Sequence, residues 1–320
     1  MSYTEGTAQY TNKLAGLLRI NDSNLSDVEF NDVIQPTDFF KILPCVPASR
    51  GTQHSWTVQT TAAGAAFRDI ATGISNAAAK EKTVTATLKT LDASFHRDLA
   101  KKATLGPRMS WEQYLARESM FSLNSALAAA ESQLIMGTGG AAAGGFDGLS
   151  DIINIWGDMG KDVGGTGSAC TRVYMLSLAE DRIAGIIGGN DSSITVGEPH
   201  EVLIKTDDGT YDADRVSILG SMGLQIAGSY SGAVAFNIDG TDGKTVDDDL
   251  LAEMYTSFPS QHASFVNCIL MSRTGLKQLR DSMVTDLIPS PKFPTNWGGA
   301  GREIQIVVCD AIDAEAVNES

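Results

Sequence analysis

A chain of 320 residues with 42% hydrophobic and 20% charged residues has the composition of a globular protein, which excludes the disordered and fibrous classes. No stretch approaches the roughly 18 uninterrupted apolar residues of a membrane helix. The start, Met1-Ser2-Tyr3-Thr4-Glu5-Gly6, lacks the basic-then-apolar pattern of a secretory signal, so folding in the cytoplasm and no membrane partner are expected. The net charge of −15 is unevenly spread: residues 51–109 carry eight Lys/Arg against four Asp/Glu, and residues 146–270 carry six against nineteen. A basic segment beside an acidic body suits complementary contacts between copies, and equally suits solvated loops. The acidic body argues against sequence-specific reading of nucleic acid.

In chain order, residues 1–50 read as an extended arm with helical pieces. Residues 11–20 are amphipathic over little more than two turns, and Pro36, Pro44 and Pro47 prevent a long regular element. Residues 51–109 read as a long hairpin and its base. Residues 55–60 and 82–89 alternate apolar and polar side chains, the mark of strands with one face covered. The tip between them is rich in Gly and Ala (Gly64, Ala65, Ala66, Gly73) and offers few bulky side chains to hold it to its own core. Such an arm offsets its ordering entropy only if something else covers it, and another copy of the chain is the expected cover.

Gly106-Pro107 breaks the chain, and Ser110-Trp111-Glu112-Gln113 reads as a capping box opening a helix over residues 111–136. Met120, Leu123, Leu127, Ala130 and Leu134 form one apolar stripe, and Gly137 is expected as a left-handed stop. At 1.5 Å per residue this helix is about 39 Å long, a spine. Residues 139–145 read as a flexible bridge and domain boundary, so that residues 110–145 form a spine unit and residues 146–288 a separate body. Short strands are expected over residues 172–178, 201–205, 215–219, 224–227, 233–238 and 265–271, and helices from Asp247 to about Phe258 and over 274–283. Residues 289–320 contain a Pro/Gly-rich loop and a final strand over 303–308.

Catalytic signatures are missing. There is no Cys-x-x-Cys, His-x-x-x-His or P-loop pattern, and Gly228-Ser229-Tyr230-Ser231-Gly232 places Tyr where a nucleophile elbow has Ser. Cys45, Cys170, Cys268 and Cys309 are scattered among apolar residues and read as buried free thiols; His54, His96, His200 and His262 read as surface or satisfied residues. Two acidic turns, Asp207/Asp208/Asp212/Asp214 and Asp239/Asp242/Asp247, lack calcium-loop spacing and read as plain turns. Trp56, Trp111, Trp156 and Trp297 read as core or interface anchors. No enzyme, cofactor or metal is therefore expected.

The order of parts resembles the major capsid proteins of tailed bacteriophages with the HK97-like fold. Glu131-Ser132-Gln133-Leu134-Ile135-Met136-Gly137 followed by Phe146-Asp147-Gly148-Leu149 resembles the junction between spine helix and axial domain. Arg172-Val173-Tyr174-Met175-Leu176 with Ile183-Ala184-Gly185-Ile186 is similar to a strand pair of a podophage-like subgroup. Met271-Ser272-Arg273-Thr274, Gly301-Arg302-Glu303-Ile304 and Cys309-Asp310-Ala311-Ile312 are similar to that subgroup's closing segment.

The resemblance implies an α+β fold with an N-terminal arm, an extended loop, a peripheral domain built on the spine helix and an axial α/β domain. It implies a structural, virion-located subunit that self-assembles into pentamers and hexamers of an icosahedral shell around double-stranded DNA. In that picture Trp56, Arg68, Lys80, Lys82, Lys89 and Arg97 are inter-subunit contacts of the extended loop, and Trp111, Met120, Leu123, Leu127 and Leu134 build the spine. A separate scaffolding protein, a portal and a decoration protein are the further partners, and packaged DNA is touched without specificity. Some relatives carry an N-terminal scaffolding segment, for which a hairpin starting near residue 51 leaves no room. Others crosslink a hairpin Lys to a neighbour's Asn; Lys80 or Lys82 is the candidate here, but no pattern marks the catalytic Glu or the partner Asn. Two alternatives stay open: an encapsulin-like compartment, and, from another class, a hydrolase or lyase with a site in the acidic body.

Overall fold

The computed structural model describes residues 18–20, 38–70, 73, 76–105, 109–137, 144–153, 157–167, 170–188, 194–207, 209–241, 243–283, 294–298 and 303–313. The chain begins with β1 (Leu18–Ile20), α1 (Asp38–Ile42) and β2 (Cys45–Pro47), then the hairpin β3 (Gln53–Thr61) and β4 (Lys80–Thr87). It continues through β5 (Lys89–Asp92), β6 (Phe95–Asp98) and a 3-10 helix (Leu99–Thr104) into α2 (Trp111–Met136) and α3 (Leu149–Ile152). The body holds β7 (Gly160–Asp162), β8 (Thr171–Leu176), β9 (Ile183–Ile187), β10 (Ile194–Val196), β11 (His200–Thr206) and β12 (Gly209–Val216). Next come β13 (Ile218–Ile226), β14 (Gly232–Ile238), α4 (Asp248–Thr256), α5 (Ser260–Ala263) and β15 (Cys268–Met271). The chain closes with α6 (Arg273–Ser282), β16 (Asn296–Trp297) and β17 (Ile304–Val308).

The strands form four sheets among the described residues. One is mixed, in the order β16-β17-β15-β8-β14-β7; a second runs β1-β10-β13-β9-β2 with β5 also on β13; a third is β11-β12-β6; the fourth is the hairpin β3-β4 alone. Every residue of β8, β9, β14 and β15 is buried, as continuous apolar runs covered on both faces must be. α2 opens with the expected capping box: Gln113 N–H donates to Ser110 Oγ at 3.1 Å, and Ser110 N–H donates to Gln113 Oε1 at 3.0 Å. α4 and α6 are capped likewise by Asp247 and Ser272.

The larger core cluster joins α1 (Phe39, Phe40), the second half of α2 (Leu123, Leu127, Leu134, Ile135) and residues of β8, β9 and β13. A smaller one lies between β8-β14-β15 and the helices α4 and α6. The buried side of α2 is wider than one stripe: Tyr114, Leu115, Ala126 and Ile135 are buried with the expected leucines, while Met120 is half-buried. All four cysteines are free and buried.

Several expectations are corrected. Residues 18–20 are a strand, paired parallel with β10, where a helix was expected; residues 11–17 and Pro36 lie outside the described residues. Strand 82–89 ends at Thr87, because the buried Leu88 turns inward and its N–H donates to Thr52 O at 2.8 Å. Residues 215–219 are not one strand: the chain changes sheets at Ser217, with Val216 and Ile218 buried on either side. Strand 265–271 shrinks to β15, and Phe265 is half exposed beneath the Arg182 guanidinium.

β8 and β9 are not a strand pair. Each has two hydrogen-bonding edges, and β14 and β15 take those of β8 while β13 and β2 take those of β9. Gly137 is extended (φ −65°, ψ 132°), not left-handed. Its requirement for glycine is space, since a Cβ there would overlap the Gln133 side chain. Gly106-Pro107, residues 139–143, Trp156, Asp208, Asp242, residues 289–293 and Gly301-Arg302 lie outside the described residues.

Candidate assembly surface

The hairpin leaves the body at Gly51, which has φ +53°. β3 and β4 pair with Gln53 opposite Thr87, Trp56 opposite Val84 and Val58 opposite Lys82, with an irregularity between Gln59 and Thr61. Its base is pinned. Ser49 N–H donates to His54 Nδ1 at 3.2 Å, the His54 ring stacks on Trp56 at 5.7 Å between centroids, and the Ser55 and Thr85 hydroxyls meet at 3.0 Å. Trp56 is half-buried there, and its buried indole N–H has no acceptor among the described residues.

Beyond Gln59 the burial ends. Gly64 N–H still donates to Ala77 O at 2.8 Å, but residues 59–70 and 76–83 are exposed. Phe67 and Ile70 are as exposed as in an extended chain. Two large apolar side chains held in water at the end of a projecting hairpin are costly unless another surface takes them up, at about 25 cal/mol per Å² of apolar area. Lys80 and Lys82 line the exposed strand and Arg68 stands at the tip. Two sequence-chosen residues sit elsewhere. Lys89 lies on β5, paired with Met222 of the body; Arg97 lies on β6, where its guanidinium bonds Glu118 of α2 and covers the Phe95 ring at 5.3 Å.

The first turn of α2 is clasped to the sheet β11-β12-β6. Trp111 Nε1 donates to Asp214 Oδ2 at 2.5 Å, and Lys102 Nζ stands 3.7 Å from the same oxygen and 5.3 Å from the Trp111 ring. Tyr114 stacks on Trp111 at 5.4 Å and accepts from Lys101 Nζ at 2.7 Å. Leu123, Leu127 and Leu134 are buried farther along. Trp111 and Trp297 are half-buried anchors, the latter donating to Asp248 at 2.6 Å.

Sequence reading missed Asp214, Glu118, Gln133, Phe67 and Ile70. Phe67 and Ile70 were findable, as the bulky residues of an otherwise small-residue tip. Asp214 was not, because its partner is 103 positions away.

Titratable groups are arranged for structure. Hydrogen bonds from the Thr241 hydroxyl (2.6 Å) and the Thr241 and Thr166 N–H groups hold the Asp239 carboxyl down at about 2. The Ser94 hydroxyl and N–H lower Asp92 in the same way. Burial pushes the Cys45 thiol far up and the Cys268 thiol to about 12. An open hollow of about 380 Å³ is lined by Asp92, Ser94, Phe95, His96, Ile204 and Arg215. Among the described residues no group of three or more His, Cys, Asp or Glu could hold a metal ion, and no helix is long and apolar enough to cross a membrane.

No protein-family model matches the sequence, and no curated protein matches it. Solved structures do. A chain of the near-atomic-resolution structure of bacteriophage Epsilon15 aligns with a TM-score of 0.58 at 18% identity, covering 94% of this chain and 91% of that chain. A chain of the bacteriophage JBD30 capsid aligns with a TM-score of 0.53 at 10% identity, covering 92% and 99%. A chain of the holo-SrpI encapsulin complex from Synechococcus elongatus reaches a TM-score of 0.44 at 10% identity over 71% and 94%, too weak a likeness to weigh. The fold is thus the mixed α+β, HK97-like fold of phage capsid structures.

Proposed function

We propose that this chain is the major capsid subunit of a tailed bacteriophage, building an icosahedral shell from pentamers and hexamers around double-stranded DNA. The observation that carries the reading is the hairpin β3-β4, whose tip leaves Phe67 and Ile70 fully exposed among the described residues. A subunit whose apolar surface is completed by a second copy has that form. The fold shared with the JBD30 capsid supports it.

In this reading the hairpin lies on an adjacent copy, with Trp56, Arg68, Lys80 and Lys82 at or near the contact. Lys89, Arg97 and the spine residues Trp111, Met120, Leu123, Leu127 and Leu134 hold the base from which it projects. Burial of Phe67 and Ile70 and backbone pairing supply most of the free energy, because exposed ion pairs contribute about 0–1 kcal/mol each. The chemistry is non-covalent and non-enzymatic. A separate scaffolding protein, a portal, a decoration protein and non-specific contact with DNA are the partners this role entails, in a virion assembled in a host cytoplasm.

Negative-stain microscopy of the purified, overexpressed chain tests the reading. Closed shells or capsomer rings are expected. A protein that stays monomeric at all concentrations and with all co-expressed phage proteins would refute it, and shells filled with a protein cargo would replace the capsid with a compartment.

A further inference from the structure

The glycine-rich exit from α2 has the sequence of a hinge, but its described ends, Gly137 and residues 144–149, are bonded to the helix and to each other. Gln133 Nε2 donates across the junction to Phe146 O at 2.6 Å. Gly137 N–H donates to Gln133 O at 3.1 Å, and Gly148 N–H returns to Gly137 O at 2.7 Å. Two glycines close on this one side chain and a third on its backbone. A Cβ at Gly137 or Gly145 would overlap the Gln133 carboxamide, and one at Gly148 would lie 2.7 Å from Gln133 O and 2.8 Å from Gly137 N. Leu134, Ile135, Phe146 and Leu149, on the two sides of the junction, are buried in one core with Tyr174 and Ile183.

The other end of α2 is held differently. The links around it are Trp111 and, from the 3-10 helix, Lys102 on Asp214, and Arg97 on Glu118, with the Lys102 and Arg97 side chains 46% and 37% exposed. The 3-10 helix buries no residue, and neither does β11, an edge strand. Local opening follows low apolar burial and solvent-exposed hydrogen bonds. Both lie in the 3-10 helix and β11, which flank the start of α2; Tyr114 and Leu115 in its first turns are buried, as are Gly137, Gly145 and Gly148.

We infer that Gln133 is a positioning residue that locks the C-terminal half of α2 to the body as one rigid unit, and that the compliant part of the subunit is the 3-10 helix with the edge strand β11, beside the start of α2. Gly137, Gly145 and Gly148 serve close packing around Gln133, while Gly144 at φ +70° serves the turn of the backbone.

Hydrogen exchange of the unassembled full chain, read by mass spectrometry, tests this. Peptides over residues 126–137 and 144–150 should exchange slowly and together with β8 and β9, while those over 96–105 and 200–206 exchange faster. Gln133→Ala should speed exchange at 130–137 and 144–150 up to about tenfold, as loss of one hydrogen bond does, and leave 200–206 unchanged. Gly145→Ala should harm the natural protein more than it harms Gln133→Ala, because the carboxamide it collides with is then gone. Junction peptides exchanging as fast as 200–206 in the natural protein would overturn the inference. So would a Gln133→Ala protein with unchanged junction exchange. If Gln133→Ala does not fold, the natural protein and Gly145→Ala still decide the matter.

Discussion

Trp111 and Asp214, 103 positions apart, are joined by a 2.5 Å hydrogen bond from the indole N–H to a nearly buried carboxylate. That bond joins the first residue of the spine helix to β12, the middle strand of the sheet β11-β12-β6.

Removing the carboxylate leaves the indole N–H without its acceptor and Lys102 without its counter-ion. Asp214→Ala is expected to lower subunit stability by about 2 kcal/mol, in the range for hydrogen bonds to charged groups. Trp111→Phe added to it should cost less than Trp111→Phe alone, because the shared bond is already gone. Urea unfolding of the two single variants and the double variant measures this.

The second half of the spine helix is held by apolar burial. Leu134 is fully buried, so Leu134→Ala should cost about 2–5 kcal/mol, the lost transfer free energy plus the cavity. The same unfolding measurement checks it, and a loss below about 1 kcal/mol would place the helix outside the core.

Burial holds the Cys45 and Cys268 thiols in their protonated form, with Cys268 at about 12. At pH 8 neither should react with iodoacetamide in the folded chain, and both should react once it is unfolded, because the thiolate is the nucleophile. Peptide mass spectrometry after alkylation distinguishes the two states.

Asp239 has a folded value of about 2 against about 3.9 for an unfolded carboxyl. A depressed folded value contributes stability above the unfolded value, and that contribution is lost as pH falls from about 4 through about 2. The turn at Asp239 and Thr241 should therefore loosen only in that window. An NMR titration of the Asp239 carboxyl with a midpoint near 4 would show that the Thr241 bonds do not persist in solution.

Deleting residues 64–79 removes the tip and takes away Phe67 and Ile70 but no core residue among the described ones. A soluble, folded subunit that forms no closed shells is expected. Light scattering reads assembly and circular dichroism reads folding, so a misfolded deletion is not mistaken for an unassembled one.

What the sequence disclosed was local. The capping box at Ser110 and Gln113, the extent of α2 and the alternation of β3 and β4 are set by neighbours within a few positions. What it withheld was decided at a distance. β8 and β9 looked like a pair, yet each already had both edges taken by strands remote in sequence. Gly137 looked like a left-handed stop, yet its constraint is the Gln133 side chain packed against it. Arg97 looked like part of a basic arm, yet Glu118 engages it within the subunit. Charge counts report how many cations a segment carries and not which of them are already paired.

The most direct measurement is a cryo-EM reconstruction of particles formed by the full chain. Density for Phe67 and Ile70 buried against an adjacent copy is expected, with Lys80 and Lys82 along the same boundary. A hairpin folded back on its own subunit, or a tip left in solvent within a closed shell, would contradict the role assigned to it.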